Sequence, residues 1–174
     1  MSDMSEELKV LIAKEAIRDQ IYTYCHALDR IDNELGYTVF SDDAVVDYGP
    51  FYKGTGHGFI DHCLNAHRGQ LATHHMMTNV LIKVDGDKAV SETYMYAANK
   101  YPMDDGRNYS TEARCRDIDN WECRDGKWVI VKRIVAGDNT RLLSKYKDLE
   151  NYNTSRGDNC REDPSYILFP ELKK

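Results

Sequence analysis

Three Asp-Gly dipeptides fall twenty residues apart, at Asp85-Gly86, Asp105-Gly106 and Asp125-Gly126, and this spacing limits the fold more than any other feature of the chain. Asp-Gly supplies the positive φ that tight hairpins demand, and the runs between the turns are rich in β-branched and aromatic residues. The spacing predicts a four-strand antiparallel meander: His75 to Val84, Lys88 to Lys100, Asn108 to Cys123 and Lys127 to Val135. Strands of this length curl strongly. In the third, Tyr109, Ala113, Cys115 and Trp121 share one face while Glu112, Arg114, Arg116 and Glu122 share the other, so one face is expected dry and the other wet.

The half before the meander reads as helical. A helix from Ser5 to Asp29 carries Leu8, Leu11, Ile12, Ile21, Tyr24 and Leu28 at the 3/4 spacing of one buried stripe. Ser5 supplies the cap and Glu6 and Glu7 the first-turn acids. A short helix at Asn33 to Phe40, a strand Ala44 to Tyr48 closed by Gly49-Pro50, and a helix Phe59 to Arg68 follow. Helices grouped before a curved sheet make an α+β domain, in which the sheet wraps the N-terminal helices and leaves a pocket on its concave face. After Val135 the pattern decays. Residues 1–140 are expected to form the domain and 141–174 an extension, whose apolar Tyr166-Ile167-Leu168-Phe169 should pack on the domain or on a neighbouring subunit.

Charge and composition exclude several classes. A net charge of −6, with 23 Lys and Arg residues scattered rather than aligned, provides no stripe for a phosphate backbone, so nucleic acid is not an expected partner. No run reaches the roughly 20 apolar residues of a bilayer crossing, and Met1 to Glu7 lacks a signal-peptide profile, so a cytoplasmic protein without a membrane partner is expected. The five cysteines are odd in number and without a C-x-x-C pair, and read as reduced, mostly buried thiols. His26, His57, His62 and His67 follow no metal-ligand spacing and read as exposed or helix-surface residues, so no metal site is expected.

Two proton-handling side chains stand at the edges of apolar elements. At 100° per residue Asp29 lies on the flank of its helix, on the side of Cys25, Tyr22 and Arg18, from which it can look into a cavity. His75 opens a strand in Thr73-His74-His75-Met76-Met77-Thr78-Asn79. A histidine near its usual pKa of about 6.5 accepts a proton at neutral pH if one ring nitrogen is kept free. A carboxylate on the other nitrogen fixes the tautomer and stabilises the imidazolium. The plain alternative is that Asp29 ends its helix and His75 is an ordinary core histidine. Neighbouring strand residues point to opposite faces, so only one of His74 and His75 can face the pocket. His75 is selected because Met77 and Asn79 share its parity; a bulge would reverse the choice.

Ile17-Arg18-Asp19-Gln20-Ile21-Tyr22-Thr23-Tyr24 leading into Ala27-Leu28-Asp29, then Asp42 to Gly49, Thr73-His74-His75 ahead of Asn79, Val84 to Asp87, and Arg124 to Trp128 followed by Arg133, resemble the SnoaL-like proteins over roughly Lys14 to Asp138. The resemblance implies the cone-shaped nuclear transport factor 2-like fold, a cystatin-like α+β barrel. Within it the Asp29 and His75 positions resemble the dyad of scytalone dehydratase, bile-acid dehydratase and hexachlorocyclohexane dehydrochlorinase, which eliminate water or HCl without a cofactor. Tyr48, ending a strand at the mouth of the cone, resembles a substrate-binding tyrosine of scytalone dehydratase and is the first candidate to assist loss of water. Tyr22, Tyr24, Tyr94 and Tyr96 are further candidates among the 12 tyrosines. Asp117 and Asp119 fall on the face expected to be dry. They are read as a second acid–base group, as partners of Arg133, or as turned outward by a bulge; Asp117 stands where the family often shows tyrosine.

The expected activity is that of a cofactor-independent dehydratase acting on a hydrophobic, ring-containing hydroxy-ketone such as a polyketide or steroid. His75 is the base, Asp29 its support and Tyr48 the assistant, and Met76 or Met77, Asn79, Tyr96, Asp117, Trp121 and Val135 line the pocket. A double-bond isomerase or cyclase with the same dyad, a lipophilic-ligand carrier and a dioxygenase small subunit are the alternatives. A homo-oligomer is expected, a trimer ahead of a dimer, as in the dehydratases the chain resembles.

Overall fold

The computed structural model describes residues 5–146, with side chains to residue 137. The apolar segment at 166–169 lies outside the described residues. Helix α1 spans Glu6–Arg30, and Ser5 caps it by accepting the Leu8 N–H at 3.3 Å. Its last turn closes on Ile31, at φ 54°, whose neighbour Asp32 donates its N–H to the Ala27 carbonyl at 2.9 Å. A left-handed cap at a β-branched residue is rare. It stops the helix one residue after Arg30 and lets Asp32 cap α2 (Asn33–Tyr37) through Leu35 N–H.

Strands β1 (Phe40–Asp47), β2 (Lys53–Thr55), β3 (Ala72–Asp85), β4 (Lys88–Pro102), β5 (Asn108–Arg124) and β6 (Lys127–Tyr146) form one unclosed sheet in the order β2-β1-β6-β5-β4-β3, with α3 (Gly56–His67) between β2 and β3. The fold is α+β with the helices against the concave face. The β3 to β6 meander is antiparallel throughout, but β1 joins β6 in parallel, so the sheet is mixed rather than wholly antiparallel. The three Asp-Gly dipeptides make three different connections. Asp85 pairs with Lys88 around Gly86-Asp87; Pro102 pairs with Asn108 around a five-residue loop; Arg124 pairs with Lys127 around Asp125-Gly126, both in left-handed conformation.

The core differs from the expected helix stripe. Ile17, Ile21, Tyr24 and Leu28 are buried, joined by Phe59, Ile60 and Leu64 of α3 and by Trp121 and Ile130 of the sheet. Each such aliphatic side chain contributes about 1.5–3 kcal/mol. Leu8, Leu11 and Ile12 are exposed instead, the fully buried positions of α1 beginning at Ile17. Strand β6 continues to Tyr146 beyond the expected end at Val135, pairing with the first half of β5, whose backbone needs a partner whatever the side-chain pattern.

Two bulges set which side chains face inward. In β3 the register slips between Met77 and Val80, so that His75 and Thr73 are buried on one side of the slip and Val80, Ile82 and Val84 pack inward on the other. In β6, Asn120 pairs with Lys132 and Trp121 with Ile130, leaving Val131 as the extra residue. Without that insertion the parity of Ile130 would turn Lys132 inward. With it, the inward residue is Arg133.

Candidate active site

Asp29 and His75 meet. The carboxylate accepts the His75 backbone N–H on both oxygens at 3.1 Å, and its Oδ1 lies 2.6 Å from His75 Nδ1. Both residues are 8 % exposed. One turn earlier on α1, the Cys25 thiol donates to the His75 carbonyl at 2.8 Å; burial pushes that thiol up to about 12, so it stays protonated. An i, i+4 pair on α1 thus clamps both backbone polar groups of His75 on β3, which is an edge strand. With Nδ1 engaged by the carboxylate, Nε2 has no protein partner among the described residues, and the ring borders a half-open cavity of about 360 Å³. His74 is exposed, as the choice of His75 requires.

Below the dyad lies a buried ionic cluster. Arg133 is 1 % exposed and grips Asp119 with Nε at 2.6 Å and Nη2 at 2.8 Å, while Nη1 lies 3.1 Å from Asp117 Oδ2. Burial above all, with Arg133 opposing and Asp119's charge adding to it, raises the Asp117 carboxyl from its ordinary value. Arg133 thus stands between two carboxyls, in a two-bond fork with Asp119 and a single contact with Asp117. Of the three readings of these acids, partnership with Arg133 is the one seen.

The same guanidinium reaches the tyrosines. Nη1 donates to the Tyr48 hydroxyl at 3.3 Å, and the cation lies 4.4 Å from the Tyr24 ring centroid. The two hydroxyls are 3.0 Å apart, and Tyr48 stacks on Phe59 at 3.7 Å. Burial pushes both phenols above their ordinary range, so they act as neutral donors. The pair has two hydroxyl protons and consumes one between its members. The other is available to a ligand.

Several expected lining residues stand elsewhere. Tyr22 is half exposed and does not border that cavity; with Met77, which packs in part against the core, it lines a separate shallow depression between α1 and β3 that Asp29 and His75 also border. Asn79 is exposed because of the β3 bulge, so its parity with His75 is lost. Met76 is exposed, and Tyr96, paired with it across β3 and β4, turns to the outer face, where it bonds Glu112. Trp121 is a core residue that donates to Ser91 Oγ at 2.9 Å and does not line the cavity beside His75. Val135 does line the cavity, with Met95 and Ala97 of β4.

One cavity residue was read as surface. His67 is buried, its ring 5.5 Å from that of His75, with Nδ1 3.4 Å from the Leu28 carbonyl and Nε2 3.6 Å from Cys63 Sγ. Burial chiefly, and the neighbouring His75, lower it to about 4, so it is neutral at pH 7. Phe59, Ile60, Cys63, Leu64 and His67 follow helical spacing, a signal that could have turned His67 inward. Among the described residues no three His, Cys, Asp or Glu side chains converge as a metal-ligand set. No helix among them is long and apolar enough to cross a membrane.

Comparison with known proteins agrees with this architecture. Residues 9–134 match the model of the SnoaL-like domain. Hexachlorocyclohexane dehydrochlorinase, LinA type 2, superimposes with a TM-score of 0.70 at 18 % identity, over 82 % of this chain and 97 % of that one. A Novosphingobium aromaticivorans protein described as a candidate scytalone dehydratase gives 0.67 at 19 % identity, over 82 % and 97 %. A protein of unknown function from Nostoc punctiforme with a cystatin-like fold gives 0.56 at 18 % identity, over 79 % and 96 %. At these identities the likeness is one of fold. No curated protein matches the sequence.

Proposed function

We propose that this chain, which belongs to the SnoaL-like domain family of the nuclear transport factor 2-like superfamily, is a cofactor-independent dehydratase with His75 as general base. The observation that carries the reading is the 2.6 Å contact between His75 Nδ1 and Asp29, which leaves Nε2 free beside an apolar cavity. Asp29 holds the tautomer and stabilises the imidazolium; Tyr48, with Tyr24, hydrogen-bonds the substrate oxygen. The relatives named dehydrochlorinase and scytalone dehydratase make elimination the reaction class to test first.

Proton balance refines the role of the tyrosines. In the elimination His75 Nε2 takes the proton from the carbon next to a carbonyl, the C–H electron pair becomes the new double bond, and hydroxide departs and needs a proton. Buried phenols with raised pKa values hold their protons, so Tyr48 assists as a hydrogen-bond donor only. The proton on imidazolium leaves with the hydroxide as water, which places the two departing groups on the same face of the substrate. A cavity of about 360 Å³ is at the small end of ligand sites and suits two or three rings. A homo-oligomer belongs to the same proposal, since Leu8, Leu11 and Ile12 present apolar surface on α1.

The test is a panel of bicyclic hydroxy-ketones followed by the absorbance of the conjugated product. His75→Ala should lower turnover by about 10²–10⁴ while ligand affinity is retained, and Asp29→Asn should act in the same direction. Full turnover in His75→Ala, or a wild-type protein that binds these ligands without converting them, would overturn the reading in favour of a carrier.

A further inference from the structure

The cavity has a second polar end. Along the inner face, His75 stands opposite Ala97 and Thr73 opposite Asn99, and Tyr101 follows two residues further along β4. At about 3.3 Å per residue, the four positions from Ala97 to Tyr101 set this outer end about 13 Å along the strand from the dyad. Asn99, Tyr101 and Gln70 all border the cavity there.

The hydrogen bonds at this end are incomplete in a specific way. The Thr73 hydroxyl donates to Asn99 Oδ1 at 2.8 Å, which engages the carbonyl and directs the amide hydrogens elsewhere. Gln70 Nε2 donates to the Tyr101 hydroxyl at 3.1 Å, and Tyr101 is fixed by stacking on Tyr109 at 4.8 Å. The other amide atom, Gln70 Oε1, is buried and has no hydrogen-bond partner among the described residues. Exchanging the amide oxygen and nitrogen moves the deficit to nitrogen and does not remove it. Buried polar atoms are nearly always paired in a folded protein, and this unpaired one belongs to a side chain that borders the cavity, where a ligand donor would complete the set.

We propose that this end of the cavity is a second polar subsite, in which Gln70 and Asn99 hold a hydroxyl of a ring substrate that carries polar groups at both ends. The assignment of the reacting end rests on the dehydratase reading above; the binding of the remote hydroxyl does not. A hydroxyl is the class that fits, because it can donate to Gln70 Oε1 and accept from Asn99 Nδ2 at once, and it pairs with Gln70 in either amide orientation. Apolar rings alone would fill the cavity and leave Gln70 unpaired. The specific substrate is thus polar, apolar and polar in sequence along the cavity.

Calorimetric titration with unreactive probes tests this: 2,6-naphthalenediol against 2-naphthol, and the longer 4,4′-biphenol against 4-phenylphenol. In at least one pair the diol should bind the wild-type protein about three- to tenfold more tightly, the span of one added hydrogen bond. Gln70→Leu should abolish that preference while keeping the affinity for the mono-ol, and His75→Ala should keep the preference. Equal affinities within both pairs in the wild-type protein, no binding of any probe, or a preference that survives Gln70→Leu would each overturn the subsite. Should Gln70→Leu fail to fold, the wild-type comparison decides alone. A wild-type protein that shows the preference and converts no hydroxy-ketone would sink the dehydratase reading and leave the subsite standing.

Discussion

Replacing Arg133 with methionine should remove about 3–5 kcal/mol of unfolding free energy at pH 7, the usual result of taking one partner from a buried ion pair. Methionine fills much of the arginine stem but leaves Asp119, fully buried, without the two charge-assisted bonds at 2.6 and 2.8 Å, and Asp117 without its contact at 3.1 Å. For a domain holding about 5–15 kcal/mol in total, the loss is a large fraction of the reserve. It should also carry a distinctive pH dependence. Buried carboxyls without a cation have folded pKa values above the unfolded value of about 3.9. The folded variant then binds protons that the unfolded chain releases, so its deficit is smallest in acid and widens as the pH rises through those raised values. Urea unfolding of both proteins at pH 5 and pH 7.5, followed by the fluorescence of the buried Trp121 and Trp128, measures both quantities. A deficit below about 1 kcal/mol, or one identical at the two pH values, would refute the account. Replacing all three side chains at once, with Asp117→Leu and Asp119→Leu added to Arg133→Met, should recover most of the loss.

His67 is neutral in the fold, lowered to about 4 mainly by burial, and takes a proton in the unfolded chain below about 6.5, so stability should fall by up to about 3 kcal/mol as the pH drops across that window. His67→Gln should flatten this part of the acid limb in urea midpoints measured against pH; an unchanged limb would count against it. Asp117, raised by burial, has the opposite sense, and Asp117→Asn should gain stability relative to the wild-type protein as the pH rises, read from the same series. Gly56→Ala would place a methyl group 2.7 Å from the buried Phe40 ring, and thermal unfolding should show a cost of about 1–3 kcal/mol rather than the usual helix gain.

The meander and the three helices were legible because each follows from a short-range signal, Asp-Gly turns or helical spacing; the meeting of Asp29 with His75 was expected on the resemblance to the SnoaL-like proteins, since nothing local in either segment names the other. What escaped was controlled by insertions of a single residue. Asn79 was assigned to the pocket from simple parity, and the slip after Met77 turned it away; Tyr22 reaches the dyad only from the shallow depression between α1 and β3, not from the cavity. The same kind of slip at Val131 brought Arg133 inward, and a strand's residue list does not reveal whether its partner carries an extra residue. The parallel pairing of β1 with β6 was hidden for another reason: it joins segments far apart in the chain, and nothing local in Phe40–Asp47 names its neighbour. Gln70, just past the end of α3, carries no sequence signal that sets it apart; only the cavity around it does.

That distant pairing has a cost in time. Phe40 meets Ile130 across ninety residues of chain, and at about 5–20 residues per second a ribosome needs roughly 5–18 s to synthesise that interval. Throughout it, Phe40, Ala44 and Val46 have no β6 surface to cover them. The nascent chain must therefore emerge through β6 before its hollow can form, and holding factors that shield greasy segments would govern how much of it survives translation.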